Sequence, residues 1–377
     1  MKKVILFGGA LQGLSFGESL YNKRKDYLVD AISNDYAIRK SRFFNKVYEG
    51  NVADYDTILD EILRNQQYDV AVPMGDAAAK YLSKNKNRIE NDYKVKCAVP
   101  DNGVLSVVVD KGKFMSFCES NGIPHPKTMA ISVDTLERAA DYIGFPSLIK
   151  PDFSVGARGI TKVKSLLELQ TQYPVISQKY KSCTLQEFID NPDYYYNVML
   201  YRDAHGHCDN YAIIKIVRMY PIGAGSSSCC ISVENDELLS ICKDALNKLN
   251  WIGMADFDVL QRKDTHEYKI IEINPRVPAS LRAAYISGVN FPETIVHDTL
   301  GERYPVSEYT PGKTLRYLGI DLLWFLKSSK RFKSSPSWFR FFGKDIYYQD
   351  IYRKDASTWY SWFVTGLKKF NRNNNHT

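Results

Sequence analysis

The stretch KIIEINPRVPASLR, residues 269–282, decides how the rest of the chain is read. After the apolar pair Ile270 and Ile271 it sets a carboxylate, a carboxamide and a guanidinium at alternate positions: Glu272, Asn274 and Arg276. On an extended strand residues two apart share a face, so the three heads converge. This donor set suits a divalent ion held against phosphates, because Mg²⁺ takes few protein oxygens and fills its shell with water and phosphate. A neighbouring strand is then expected to supply a second acid. Gly253 to Leu260 alternates Asp256 and Asp258 with Phe257 and Val259, and Lys263 to His266 forms a polar turn between the two runs. That hairpin lets Asp258 face Glu272.

Outward from this pair, the composition is that of a soluble globular protein. Of 377 residues 44% are hydrophobic and 25% charged, enough for two or three domains with a large core. A formal charge of +7, without a long basic run, suits phosphate- or carboxylate-bearing substrates at least as well as nucleic acid, which would need a basic face clustered within the core. Seven cysteines, at 97, 118, 183, 208, 229, 230 and 242, include no CxxC pair, which argues against a zinc site and a disulfide framework. A reducing cytoplasm is the expected home. The first apolar run is only four residues, too short for a signal-peptide core, and no segment has the length of a membrane span.

The chain opens with Val4 to Phe7 as a buried parallel strand, a glycine turn, and a helix around Phe16 to Tyr21. Gly8, Gly9 and Gly13 do not have the GxGxxG spacing of a dinucleotide site. Strands at Val29 to Ile32 and Asp69 to Pro73 and a helix at Tyr55 to Asn65 extend a small parallel sheet. Asp110, Lys111 and Phe114 begin another helix. FPSLIKP, residues 145–151, is a strand carrying Lys150, and SVGARG, residues 154–159, is a glycine loop whose amides can turn toward an anion. LQEFI, residues 185–189, reads as a strand edge. Further strands run from Tyr195 to Tyr201 and from Ala212 to Val217, the latter carrying Lys215 with Arg218 just beyond. PIGAGSSSCC, residues 221–230, reads as a mobile segment, and Glu237 to Asn250 as an amphipathic helix.

In this order the pieces resemble the ATP-grasp superfamily, most closely its carbamoyl-phosphate-synthetase-like branch. The matching residues are DK at 110–111, FPSLIKP, SVGARG, LQEFI, ADFDV at 255–259 and EINPRVPAS at 272–280, so the resemblance covers roughly residues 1–300. It implies a mixed α/β fold in parts: an N-terminal Rossmann-like parallel-sheet domain (1–100), a small lid (101–183), a larger antiparallel part with the metal site (184–309), and an extension (310–377). It further implies that Lys111 and Lys150 contact ATP phosphates, and that the loop with Ser154, Gly156 and Gly159 closes over them. Gln186, Glu187, Phe188 and Ile189 would take adenine through the backbone, with Glu187 also a candidate for the ribose. Asp258, Glu272 and Asn274 would hold one or two Mg²⁺ (or Mn²⁺). Arg276, with Lys215, Arg218 and Arg282, would face the reacting groups.

The implied reaction joins a small carboxylate to an amine through an acyl phosphate, in a cytoplasmic enzyme for which a homodimer is one candidate state; activation of bicarbonate and a regulatory nucleotide-binding module are the rival readings. Aspartate at 258 is shorter than the family's usual Glu or Gln, which leaves Asp256 as the alternative ligand. Pro278 and Ala279 depart from the synthetase pattern and argue against bicarbonate. Arg282 either supplies a displaced positive group or sits on the following helix. The segment from Leu322 to Lys344 has six Lys or Arg and no acid, and suits a membrane surface, a partner enzyme, or aromatics packed on the body. The last residues, NRNNNHT, read as disordered.

Overall fold

The computed structural model describes residues 1–152, 159–223 and 225–358. The expectations for Ser154, Gly156 and the final NRNNNHT lie outside them. A parallel sheet comes first, made of β1 (Lys2–Phe7), β2 (Tyr27–Ile32), β3 (Val47–Tyr48), β4 (Val70–Pro73) and β5 (Lys96–Cys97) in the order β3-β2-β1-β4-β5. The run VILF in β1 is apolar on both sides because both faces are covered. Val4 and Leu6 pack with Leu14, Phe16 and Leu20 of the helix Leu11–Tyr21. Ile5 and Phe7 pack with Tyr55, Leu59 and Leu82 from the helices Tyr55–Asn65 and Asp76–Asp92.

A small antiparallel sheet follows: β6 (Thr128–Ile131), β7 (Ser147–Pro151), β8 (Thr161–Val163) and β9 (Cys183–Glu187), ordered β6-β9-β7-β8. Ile149, Val163 and Leu185 face the helices Leu136–Ile143 and Leu166–Tyr180. The period of two therefore puts Lys150, Lys162 and Gln186 on the open face. Gly159, just before β8, has φ +80°, and a Cβ there would lie 2.6 Å from the Tyr180 ring and 2.9 Å from Pro151. Only glycine fits that approach.

The largest sheet contains β10 (Tyr195–Arg202), β11 (Tyr211–Tyr220), β12 (Ser226–Ser232), β13 (Gly253–Gln261), β14 (Tyr268–Asn274), β15 (Thr314–Arg316) and β16 (Ile346–Tyr348), ordered β14-β13-β10-β11-β12-β15-β16. All its pairs are antiparallel except β15 with β16. One face carries Val198, Phe257 and Ile270 against the helix Asp236–Lys248. The other shares a core with the first sheet, in which Met199 and Ile214 belong to the same apolar cluster as Val4 and Leu14. Residues 226–232 correct the mobile reading. Cys229 and Cys230 are buried and pair with both β11 and β15, so tertiary pairing overrides a composition of small residues.

Candidate active site

The site grows from the β13–β14 hairpin. Asp258 stands directly opposite Glu272, and Asp256 opposite Asn274, with a register irregularity just after Asp258. On the other side of β13, Asn197 of β10 lies opposite Asp258. Its amide donates to the Asp258 carboxylate, and its Oδ1 accepts from Ser280 Oγ at 2.9 Å. Asn197 is a site residue that the linear reading missed. Its one sequence signal is an asparagine inside the strand YYNVMLYR, where asparagine is depleted.

Asn274 Nδ2 donates to Asp256 Oδ2 at 3.3 Å, and Arg276 Nη2 donates to Asn274 Oδ1 at 3.1 Å. Arg276 Nη1 is 3.8 Å from Asp256 Oδ2, and its Nε donates to Asp76 Oδ1 at 3.2 Å. Asp76 heads the helix Asp76–Asp92, so the first sheet also reaches the site. Asp256 is 2% exposed, and its Oδ1 has no hydrogen-bond partner among the described residues.

Two lysines arrive from other elements. Lys111 opens the helix Lys111–Ser120, whose N-terminus Asp110 caps by accepting from the Lys113 amide at 3.0 Å; its ammonium is 4.0 Å from Glu272. Lys150, on the open face of the small sheet, donates to Gln186 Oε1 at 2.8 Å. Burial, then the charge of Lys111, brings the Lys150 ammonium down to about 8, although Glu272 and Asp258 oppose the change. Burial pushes Asp256 up to about 7, against the pull of Arg276. Asp258 is pushed up by burial and by the Glu272 charge. Burial acts on Glu272 in the same sense but is outweighed by the Asp258 hydrogen bond and by Lys111, Lys150 and Arg276, which hold it below the usual carboxylate range. The two facing carboxylates are thus pushed in opposite directions, Asp258 toward holding a proton and Glu272 toward losing one.

These features fit a hard divalent cation. No group of three or more His, Cys, Asp or Glu able to hold a metal gathers among the described residues. Two facing carboxylates with one carboxamide leave places for water and phosphate oxygens, as Mg²⁺ prefers. A cation held by Asp258 and Glu272 would relieve their repulsion and favour the ionised form of Asp258.

Three expected groups lie elsewhere. Lys215 pairs with Tyr196, one residue out of step with Asn197, so it points to the opposite face of the sheet from Asp258; its ammonium rests 3.6 Å from the Tyr194 ring centroid. Arg218 is 1% exposed and donates to both oxygens of Asp321, at 2.8 and 3.0 Å, and to Pro336 O at 2.8 Å. Arg282 is buried on the helix Leu281–Ile286, where it donates to Glu18 at 3.3 Å and to Tyr348 O and lies over the Tyr352 ring. Buried guanidiniums committed to such partners are not available to a substrate.

Around Gln186 to Ile189 the ribose expectation is also corrected. Glu187 pairs with Arg262 and accepts from the Lys127 amide at 3.1 Å, so its carboxylate is engaged. The Gln186 side chain is held by Lys150 and by Thr128, the latter at 2.9 Å. The amides of Glu187 and Phe188 donate to Lys127 O and Pro146 O. Lys162 lies 3.2 Å from the Phe188 ring centroid, in a groove also lined by Pro146 and Arg262.

Comparison with known proteins agrees with this geometry. A family model described as ATP-grasp in the biosynthetic pathway with Ter operon matches residues 206–318. The chain is 24% identical over 284 residues to D-aspartate ligase of Enterococcus faecium, an overlap covering 69% of this chain and 66% of that one. It is 24% identical over 185 residues to the N-terminal section of the carbamoyl phosphate synthase large chain of Methanopyrus kandleri, covering 45% and 32%. The chain therefore spans less than two thirds of either relative's length. The biotin carboxylase domain of 2-oxoglutarate carboxylase from Hydrogenobacter thermophilus, solved with MgADP, ADP and bicarbonate, superposes with a TM-score of 0.68 at 15% identity, over 83% of this chain and 73% of that one. With these likenesses added to its three sheets, the chain has the ATP-grasp fold and is similar in sequence to a D-aspartate ligase and to carbamoyl phosphate synthase large chains.

Proposed function

We propose that the chain is an ATP-dependent carboxylate–amine ligase. The observation that carries this reading is the approach of Lys111 and Lys150, from separate elements, to the hairpin that bears Asp258, Glu272 and Asn274. Phosphoryl transfer needs little covalent chemistry from a protein and much charge compensation and positioning. Likeness to a ligase that acts on D-aspartate supports a carboxylate as the activated substrate.

In this reading Lys111 and Lys150 bind the ATP phosphates, each as a point charge. The Ile189 amide, which has no partner among the described residues, donates to the adenine edge. Asp258, Glu272 and Asn274 hold Mg²⁺ or Mn²⁺, which when bound neutralises phosphate charge and orients the γ-phosphoryl group. Arg276, steadied by Asp76 and Asn274, holds the substrate carboxylate. One carboxylate oxygen attacks the γ-phosphorus and ADP leaves. The amine then attacks the acyl carbon, phosphate leaves, and the amine loses a proton. Residues 1–100 provide the acceptor side, 101–183 the lid, and 184–309 the metal side.

The test is ADP release from Mg-ATP with pooled amino acids and small carboxylates, followed by mass spectrometry of the products. ADP together with a new amide mass establishes the ligase. ADP and phosphate without a condensed product, dependent on bicarbonate, would replace it with bicarbonate activation, and nucleotide binding without ADP release under any mixture would replace it with a regulatory module.

A further inference from the structure

The geometry points to the face formed by residues 322–344 as a docking surface for an anionic lipid bilayer. This inference is independent of the ligase reading. The segment is firmly held from behind. Arg218 and Arg316 both grip Asp321, Trp338 Nε1 donates to Asp321 O at 3.1 Å, and β15 and β16 fasten the two ends to the large sheet. Held this way, it still turns large apolar side chains outward: Phe342 is 92% exposed, Phe332 72%, Leu326 59% and Phe339 56%. Phe332 and Phe339 stack at 6.2 Å, and each lies 5.7 Å from Phe325. Phe332 and Phe339, joined through Phe325, make an outward apolar cluster on a segment that exposes Phe342 and Leu326 as well, and exposed apolar surface of this kind marks an interaction site.

Charge identifies the occupant. Residues 322–344 contain six Lys or Arg and no acid. Lys330 pairs with Asp193 and Arg340 with Asp345, which leaves Lys327, Arg331, Lys333 and Lys344 without an ion pair to any described acid. Arg331 lies over the Phe332 ring at 5.5 Å and donates to Leu326 O at 3.3 Å, so its charge sits at the border of the apolar patch. Surplus cations on the same segment as exposed Phe and Leu, with Arg331 beside the cluster, match a layer that is anionic at its surface and apolar beneath. Single-stranded nucleic acid fits less well, because Phe332 and Phe339 stack on each other rather than leaving a slot for bases, and the leucines offer no stacking plane. No described helix is long and apolar enough to cross a membrane.

The test is co-sedimentation of the full chain with phosphatidylglycerol-rich vesicles and with pure phosphatidylcholine vesicles at moderate salt. Binding to the anionic vesicles alone is expected. The variant K327Q/K333Q/K344Q should lower the partition on the order of a hundredfold, at roughly fivefold per lysine. F342S should lower it by about tenfold, with thermal melting unchanged because the altered side chains are exposed. Equal binding to both vesicles, no binding, or binding untouched by these variants would overturn the inference. Tighter binding to a single-stranded oligonucleotide than to vesicles, or a concentration-dependent dimer abolished by F342S, would also overturn it, in favour of nucleic acid or of a second copy of the chain.

Discussion

Two buried assemblies of arginine and acid can be compared in this molecule. Around Asp321 the hydrogen bonds are answered: both carboxylate oxygens accept from Arg218, Arg316 adds bonds at 2.7 and 2.9 Å, Ser228 Oγ donates at 3.2 Å, and the two guanidiniums also donate to Pro336 O and Arg340 O. Around Asp256, Asp258 and Glu272 the account is open. One Asp256 oxygen is buried without a partner among the described residues, and in the facing pair Asp258 is pushed toward holding a proton while Glu272 is pushed toward losing one. A satisfied cluster holds elements together, whereas an unsatisfied one waits for a ligand. Residue type alone does not separate the two.

The comparison is broken most severely at the satisfied cluster. Asp321→Ala leaves two buried guanidiniums uncompensated and is expected to cost about 3–5 kcal/mol of stability. Replacing Arg218, Asp321 and Arg316 together by apolar residues of similar volume should cost much less. Chemical denaturation of both variants measures the difference, and equal losses would mean that packing, not charge satisfaction, holds this region. At the open cluster Glu272→Gln should behave in the opposite way, lowering ADP release on the order of a thousandfold while the melting temperature stays level or rises. A normal turnover rate in that variant would remove Glu272 from the metal site.

Lys150 sharpens the contrast through pH. Its folded pKa of about 8 lies below the ordinary 10.5, so between these values the unfolded chain binds more protons than the folded one. Stability contributed by this group therefore rises with pH across that window. Nucleotide affinity should move the other way, falling above about pH 8 as the ammonium is lost. Calorimetric titration with a non-hydrolysable ATP analogue would show it, and Lys150→Ala should weaken binding by roughly ten- to a hundredfold at neutral pH and abolish the fall. The smallest effect is expected at Ser280→Ala, which removes one hydrogen bond to Asn197 and should lower kcat by about fivefold. An unchanged kcat there would show that Asn197 is oriented by Asp258 alone.

The parts of the site that could be read in the linear chain are local ones. Glu272, Asn274 and Arg276 lie two apart on one extended stretch, and Asp256 and Asp258 on the next, so strand alternation alone aligns them. The arginines and Lys215 were not local problems. Arg218 finds its acid 103 residues away and Arg282 finds Glu18 at a separation of 264, and nothing near either arginine announces those partners. Lys215 depends on register, because pairing with Tyr196 rather than Asn197 sends it to the other face of the sheet. Several helices also escaped notice, among them Leu166–Tyr180, which contains Pro174.

By itself, then, the sequence determined the alternation of apolar strands and polar heads, the acidic hairpin, and the positions of the lysines that could meet phosphate, because each is encoded within a few residues by backbone periodicity. Only the tertiary structure decided which charges are spent. Whether a buried arginine or acid is structural or available depends on the partner that packing brings to it from elsewhere in the chain, and on whether that partner answers all of its hydrogen bonds.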